Sequence, residues 1–127
     1  MTDIVEFVGY VSENIKIGLY QKANICVFPA TGGESFGIVL LESMAAGGSV
    51  VLAANNSGYA SVLKDYSEWL FPINDSRALS EKIMLYYTNK RLRQKAILAG
   101  NNYARQYDVK IVGDKLIDNY NNMLSKI

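Results

Sequence analysis

A chain of 127 residues, half of them hydrophobic, is long enough for one packed core and too apolar to remain disordered. Its net charge of +1 gives no electrostatic case for binding nucleic acid, its single cysteine supports no disulfide framework, and it has no histidine for imidazole acid–base or metal chemistry. The opening MTDIVEF is acidic and lacks an apolar core, so no signal peptide is expected. No apolar run is long enough to span a bilayer, and the chain reads as cytoplasmic.

Ile4 to Tyr10 (IVEFVGY) is rich in β-formers and ends in Gly-Tyr, which predicts a strand and a turn. Ser12 is placed to cap a helix from Glu13 to about Ala23, with Ile15, Leu19 and Ala23 recurring every four positions. Asn24 to Pro29 (NICVFP) is a short continuous apolar run, as expected of a strand buried on both faces of a parallel sheet. Cys26 lies in that run and reads as a small core residue. Ser49 to Ala54 (SVVLAA) is a second such run. Asn55 to Gly58 is a loop, Tyr59 to Lys64 a short helix, and Glu68 to Pro72 (EWLFP) a last strand. Strands alternating with helices predict an α/β fold with a parallel sheet of about four strands over residues 1–74.

From residue 75 to 127 the pattern is helical, and the whole chain is read as a single domain. Asp75 or Ser76 caps a helix with Leu79, Ile83 and Tyr87 on one face. A second helix is predicted from about Lys90 to Gln106, with Leu92, Ala96 and Ala99 inward. A third runs from about Val109 to Leu124, with Val112, Leu116, Tyr120 and Leu124 inward. The basic cluster Lys90, Arg91, Arg93 and Lys95 is compatible with a phosphate or membrane contact, but a solvated helix face is the simpler reading. Tyr86 and Tyr87 read as core and rim residues.

The stretch that carries chemistry is Thr31 to Gly47, TGGESFGIVLLESMAAG. A glycine-rich turn follows a strand and runs into an apolar helix that stops at Gly47. The first turn of a helix holds backbone N–H groups without internal partners and carries partial positive charge. The amides of Phe36, Gly37 and Ile38 are therefore expected to face an anion, most naturally a phosphate. Gly32, Gly33 and Gly37 clear the approach to the backbone. Glu34 stands at the mouth of the loop, and Glu42 lies a little over one turn inside the helix. Each carboxylate accepts from paired hydroxyls. A phosphate cradle flanked by two such acceptors suits a nucleotide-sugar. The same residues also fit an ordinary loop with a solvated glutamate, and spacing does not separate the two readings.

The run GGESFGIVLLESMAAG closely resembles the E-x(7)-E signature of retaining GT-B glycosyltransferases of group 1, nearest to the phosphatidylinositol mannosyltransferase-like enzymes. The similarity extends from about Phe7 to about Val109. The resemblance implies that Glu34 contacts the transferred sugar near the anomeric centre and is the catalytic residue. Glu42 would hold the ribose hydroxyls, and Gly33, Ser35, Phe36, Gly37 and Ile38 would complete the sugar and diphosphate contacts. Val11 and Ser12 would wall the nucleotide base, with Lys16 close by. At Ser43 the family usually has alanine.

The resemblance also implies a Rossmann-like sheet, a GDP-, UDP- or ADP-linked sugar as donor, no cofactor and no metal. The lack of a D-x-D motif agrees with the last of these. An association with the inner face of the membrane is compatible with it. The family's donor domain opens with a G-R strand and a K-G helix start whose Arg and Lys hold the diphosphate. Neither motif occurs here, and nor does the acceptor-binding domain, so the chain matches the later part of the donor-binding domain. In the strand order 3-2-1-4-5-6 it would supply strands 3, 4, 5 and 6. Strand 3 would have no neighbour and strand 4 an exposed apolar edge, open to self-association or to a companion chain. Two functions follow: the donor-binding part of a retaining glycosyltransferase, or a non-catalytic nucleotide-sugar-binding module or subunit of a split enzyme.

Overall fold

The computed structural model describes residues 4–127; residues 1–3 of the expected single domain lie outside it. The elements run α1 (Glu13–Lys22), β1 (Ile25–Phe28), α2 (Ile38–Ala46), β2 (Val50–Ala54), α3 (Ser57–Val62), β3 (Leu70–Phe71), α4 (Ser76–Thr88), α5 (Lys90–Ala104) and α6 (Val109–Leu124). Short 3₁₀ turns at Ser67–Trp69 and Arg105–Tyr107 precede β3 and α6. The expected α/β architecture is present. The sheet is parallel in the order β1-β2-β3, with Ile25 opposite Val50, Phe28 opposite Ala53, and Ala54 opposite Phe71.

β2 lies in the middle and every residue of it is buried, which is why its sequence, VVLAA, is uniformly apolar. Leu40 and Met44 of α2, Val62 of α3, Trp69 and Phe71 complete the centre of the core. α5 packs on both α2 and β2, and an aromatic group joins it to the region before β3. Tyr66 stacks on Trp69 (4.4 Å between centroids, 7° between planes) and meets Tyr103 edge-on at 5.1 Å. The buried Tyr103 hydroxyl donates to the Val62 carbonyl at 2.6 Å.

Several expectations are corrected. The predicted strand over Ile4–Tyr10 does not form, so the sheet has three strands rather than about four. Residues 5–9 have no regular structure, and Ile4, Phe7 and Tyr10 are 84%, 95% and 101% exposed. A strand needs a partner for its backbone groups, and among the described residues no strand lies beside this segment. For the same reason β1 is an edge strand, half-buried along its length rather than enclosed. On α1, whose apolar positions recur every four residues, Ile15 and Leu19 are exposed. On α4 the inward aromatic is Tyr86, while Tyr87 is exposed; the inward stripe runs through the half-buried Leu79 and Ile83 to the buried Tyr86 with the 3–4 spacing of a helix. α6 forms where expected, but Val112, Leu116, Tyr120 and Leu124 are all exposed, and among the described residues none covers that face. The last strand is only Leu70–Phe71, with Glu68 and Trp69 in the preceding turn. The short helix predicted at Tyr59–Lys64 begins two residues earlier, at Ser57.

Candidate functional site

The motif loop leaves the carboxyl end of β1 and enters α2 at Gly37. Gly37 is left-handed (φ 87°), and a Cβ built there would lie 2.6 Å from the Tyr59 ring, so only glycine fits. The helix ends as the sequence predicts. Gly47, also left-handed, donates its N–H to the Met44 carbonyl, and the Asn101 side chain donates to the Met44 and Ala45 carbonyls at 3.2 Å each. α2 is thus tied to α3 at its start and to α5 at its end.

The other five α-helices each begin with a side chain that accepts from a first-turn amide: Ser12, Asn56, Asp75, Asn89 and Asp108. Among the described residues α2 alone begins without one. The Leu40 amide turns back to the Gly37 carbonyl, and the amides of Ile38 and Val39 are left without a side-chain acceptor. The Phe36 amide, expected among the helix-start donors, belongs to the bend before the helix.

The loop is fixed from behind by residues that were read only as an ordinary loop and helix. Asn56 is buried. Its amide nitrogen donates to the Ala30 carbonyl at 2.8 Å, and its amide oxygen accepts from the Tyr59 N–H at 2.9 Å. One side chain therefore caps α3 and holds the start of the motif loop. Gly58 is the contact point for Glu34, since a Cβ there would overlap the Glu34 backbone. An Asn immediately before a short helix is a recognisable cap signal; its second bond across the sheet end has no signature in sequence.

Glu34 itself is half-buried beside Tyr59. Burial, and then the charge of Glu34, raise the Tyr59 phenol above its ordinary range. Gly33 and Ser35 are exposed around it. Phe36 leans on Tyr107 from the turn before α6, with centroids 5.9 Å apart, and Ile38 is exposed.

Glu42 lies one turn into α2 and faces α1, where its carboxylate accepts from the Lys16 ammonium at 3.1 Å. The same ammonium meets Glu13 at 2.9 Å. The hydrogen bonds that Lys16 donates to Glu13 and then to Glu42 hold it above the ordinary lysine range. Val11 and Ser12 sit at the head of α1, with Val11 half-buried and the Ser12 hydroxyl capping the helix through Ile15 at 3.4 Å. Glu42 borders two cavities. One, of about 350 Å³, is the groove between α1 and α2, with Glu13, Lys16 and Gln21 on one wall and Ala45 and Ala46 on the other. The second, of about 610 Å³, lies across α2 and is lined by Phe36, Ile38, Leu41, Arg105 and Tyr107 among others. The larger one falls within the usual size range of small-molecule sites and the smaller one at its lower limit.

The sequence pattern described for glycosyl transferases of group 1 matches residues 1–103. The chain is similar to the phosphatidyl-myo-inositol mannosyltransferase of Mycobacterium leprae, with 35% identity over 121 residues, which is 94% of this chain and 32% of that protein. The protein of the same name from Mycobacterium tuberculosis is 35% identical over 121 residues, 91% of this chain and 32% of its own length. That from Propionibacterium freudenreichii is 32% identical over 120 residues, covering 91% and 30% respectively. The chain thus spans about a third of the length of these curated relatives.

Proposed function

Because the chain belongs to the glycosyl transferases of group 1, we propose that it supplies the donor-binding part of an enzyme that moves a sugar from a nucleotide-sugar to an acceptor with retention of configuration. The nucleoside lies at the α1–α2 groove, with Val11 and Ser12 at the base and Glu42 on the ribose hydroxyls. The diphosphate meets the open start of α2 at Ile38 and Val39, where backbone dipoles take up the charge that grows as the sugar departs. Gly33 and Ser35 to Gly37 line the approach, and Glu34 touches the sugar near its anomeric carbon. No metal takes part.

One observation supports this most. Lys16 and Glu42 are 26 positions apart, and the family resemblance gives them separate roles at base and ribose, yet they meet at 3.1 Å on one groove. The ion pair leaves Glu42 Oε1 free to accept a ribose hydroxyl while Oε2 is held. A second reading, a nucleotide-sugar-binding module that is inactive alone, is supported by the coverage of about a third of its relatives. In that case the acceptor-binding domain comes from elsewhere in the same protein or from another chain.

The test is calorimetric titration of the chain with UDP-, GDP- and ADP-sugars. One of them binds, and Glu42→Ala weakens it at least tenfold, which is about 1.4 kcal/mol. Glu34→Ala leaves the affinity for the free nucleoside diphosphate unchanged but removes the preference for its sugar conjugate. A folded chain that binds none of the three would defeat the assignment of the α1–α2 groove.

A further inference from the structure

Contacts from two parts of the chain hold the motif loop. Asn56, Gly58 and Tyr59 hold it at Ala30, Glu34 and Gly37, and all three belong to one short segment at the start of α3. A further hold comes from the turn that follows α5, where Tyr107 meets Phe36. Phe36 is the only large apolar side chain between Pro29 and Ile38. Its ring does not enter the core. It stays 37% exposed and rests on Tyr107, with centroids 5.9 Å apart and planes at 57°.

Tyr107 is itself anchored. Its ring meets the buried Tyr103 edge-on at 5.6 Å, and the two hydroxyls lie 3.1 Å apart. Tyr103 in turn is fixed to the Val62 carbonyl and to the ring of Tyr66. Tyr107 is also where the packed part of the chain ends, since α6 begins two residues later and buries nothing. One aromatic residue thus joins the core to the loop. The loop depends on such a hold. Gly32, Gly33 and Gly37 give its backbone freedom that ordering must remove. α2 has no side-chain cap, so the aim of the Ile38 and Val39 amides depends on what holds the residues just before them. An aromatic pair at this separation shifts the balance between ordered and loosened loop by about threefold to tenfold. That is enough to change how often the amides face a ligand and too little to decide whether the chain folds.

We propose that Tyr107 is a positioning residue: through Phe36 it sets the orientation of the uncapped start of α2, and with it the affinity for the diphosphate rather than for the nucleoside. The inference rests on the assignment of the diphosphate to that helix start and adds to it a residue far outside the motif. The nucleoside, at the α1–α2 groove, meets Val11, Ser12 and Glu42, and Tyr107 does not line that groove. A loss of general stability would weaken nucleoside and diphosphate alike, whereas a loss of positioning weakens the diphosphate alone.

NMR on the isotope-labelled 127-residue chain tests it in two ways. The first uses no ligand. The Leu40 amide donates to the Gly37 carbonyl at 3.1 Å and closes the first turn of α2, so its hydrogen exchange reports how firmly that turn is held. Tyr107→Ala speeds exchange at Leu40 by about threefold to tenfold beyond any change at the β2 amides, which report global stability. Tyr107→Phe keeps the ring and leaves Leu40 as in the parent. Phe36→Ala removes the same contact while leaving Tyr107 on Tyr103, so the test stands even where Tyr107→Ala does not fold. The double variant loosens Leu40 no further than either single one. The second measurement titrates UDP, GDP and ADP against uridine, guanosine and adenosine. Tyr107→Ala lowers the affinity for the bound diphosphate by about threefold to tenfold and that for its nucleoside by less than about twofold. The proposal is overturned if Leu40 is unmoved in Phe36→Ala, if Tyr107→Phe loosens it as much as Tyr107→Ala, or if nucleoside and diphosphate weaken together. A parent chain that binds no nucleotide would instead sink the assignment of the site, and the exchange result would then decide the role of Tyr107 by itself.

Discussion

The middle of the chain and its two ends are built on opposite terms. Between β1 and α5 most apolar side chains have found a partner, and the polar groups placed inside are matched one to one. Asn56 joins α3 to the motif loop, Tyr103 reaches Val62, and the hydroxyls of Ser43 and Ser49 face each other at 3.2 Å in the core. Before β1 and after Asp108 apolar residues are just as frequent along the chain and almost all exposed. The first set closes on itself. The second set is patterned for burial against surfaces that this chain does not contain. An amphipathic sequence is therefore a statement about an interface, and whether that interface lies within the same polypeptide must be read from elsewhere.

The largest effect expected within the closed region comes from Gly58→Ala, which drives a methyl group into the Glu34 backbone. It is expected to cost about 3 kcal/mol in urea denaturation and to disturb the candidate site as well. Tyr103→Phe leaves the Val62 carbonyl unpaired in the core, for about 2 kcal/mol. Burial, and next the Tyr107 hydrogen bond, raise the Tyr103 phenol above its ordinary range. Its contribution is therefore full at neutral pH and is lost as pH climbs beyond about 10. Denaturation midpoints measured across that range should fall less steeply in Tyr103→Phe than in the parent.

A smaller effect concerns Ser43, at a position where the family resemblance leads one to expect alanine. Ser43→Ala orphans the buried Ser49 hydroxyl and should cost about 1 kcal/mol, while Ser43→Ala/Ser49→Ala should return most of it. The smallest effect is expected at the open end. Deleting residues 109–127 removes a helix with no buried residue and should change the unfolding free energy by less than about 0.5 kcal/mol. A large loss on that deletion would erase the contrast between middle and ends.

What the sequence conveyed follows the same division. The central strands, the glycine-bounded helix and the order of the helices were legible because their residues obey local rules: uniform apolar runs, caps, left-handed glycines. The motif's two glutamates were singled out by the family resemblance, since their spacing alone did not separate a site from an ordinary loop and helix. What escaped was set by neighbours. Ile4–Tyr10 has the composition of a strand without a strand beside it, and α6 has a core face without a core. At the site, the bonds from Asn56 to Ala30 and from Lys16 to Glu42 each join residues 26 positions apart. Such pairings depend on how α1, α2 and α3 are laid along the sheet, which no window of sequence contains.

The uncapped start of α2 has a consequence for anyone seeking to make this protein more robust. A survey of its helices for a missing cap would select position 37 first, since an Asn, Asp or Ser there is ordinarily worth about 1 kcal/mol. The substitution would fail sterically, because the Tyr59 ring already occupies the space of a Cβ and the backbone is left-handed. The weak helix start is not an oversight open to repair by design: the same packing that positions the loop forbids its correction, and engineering for thermal tolerance must look to the other helices.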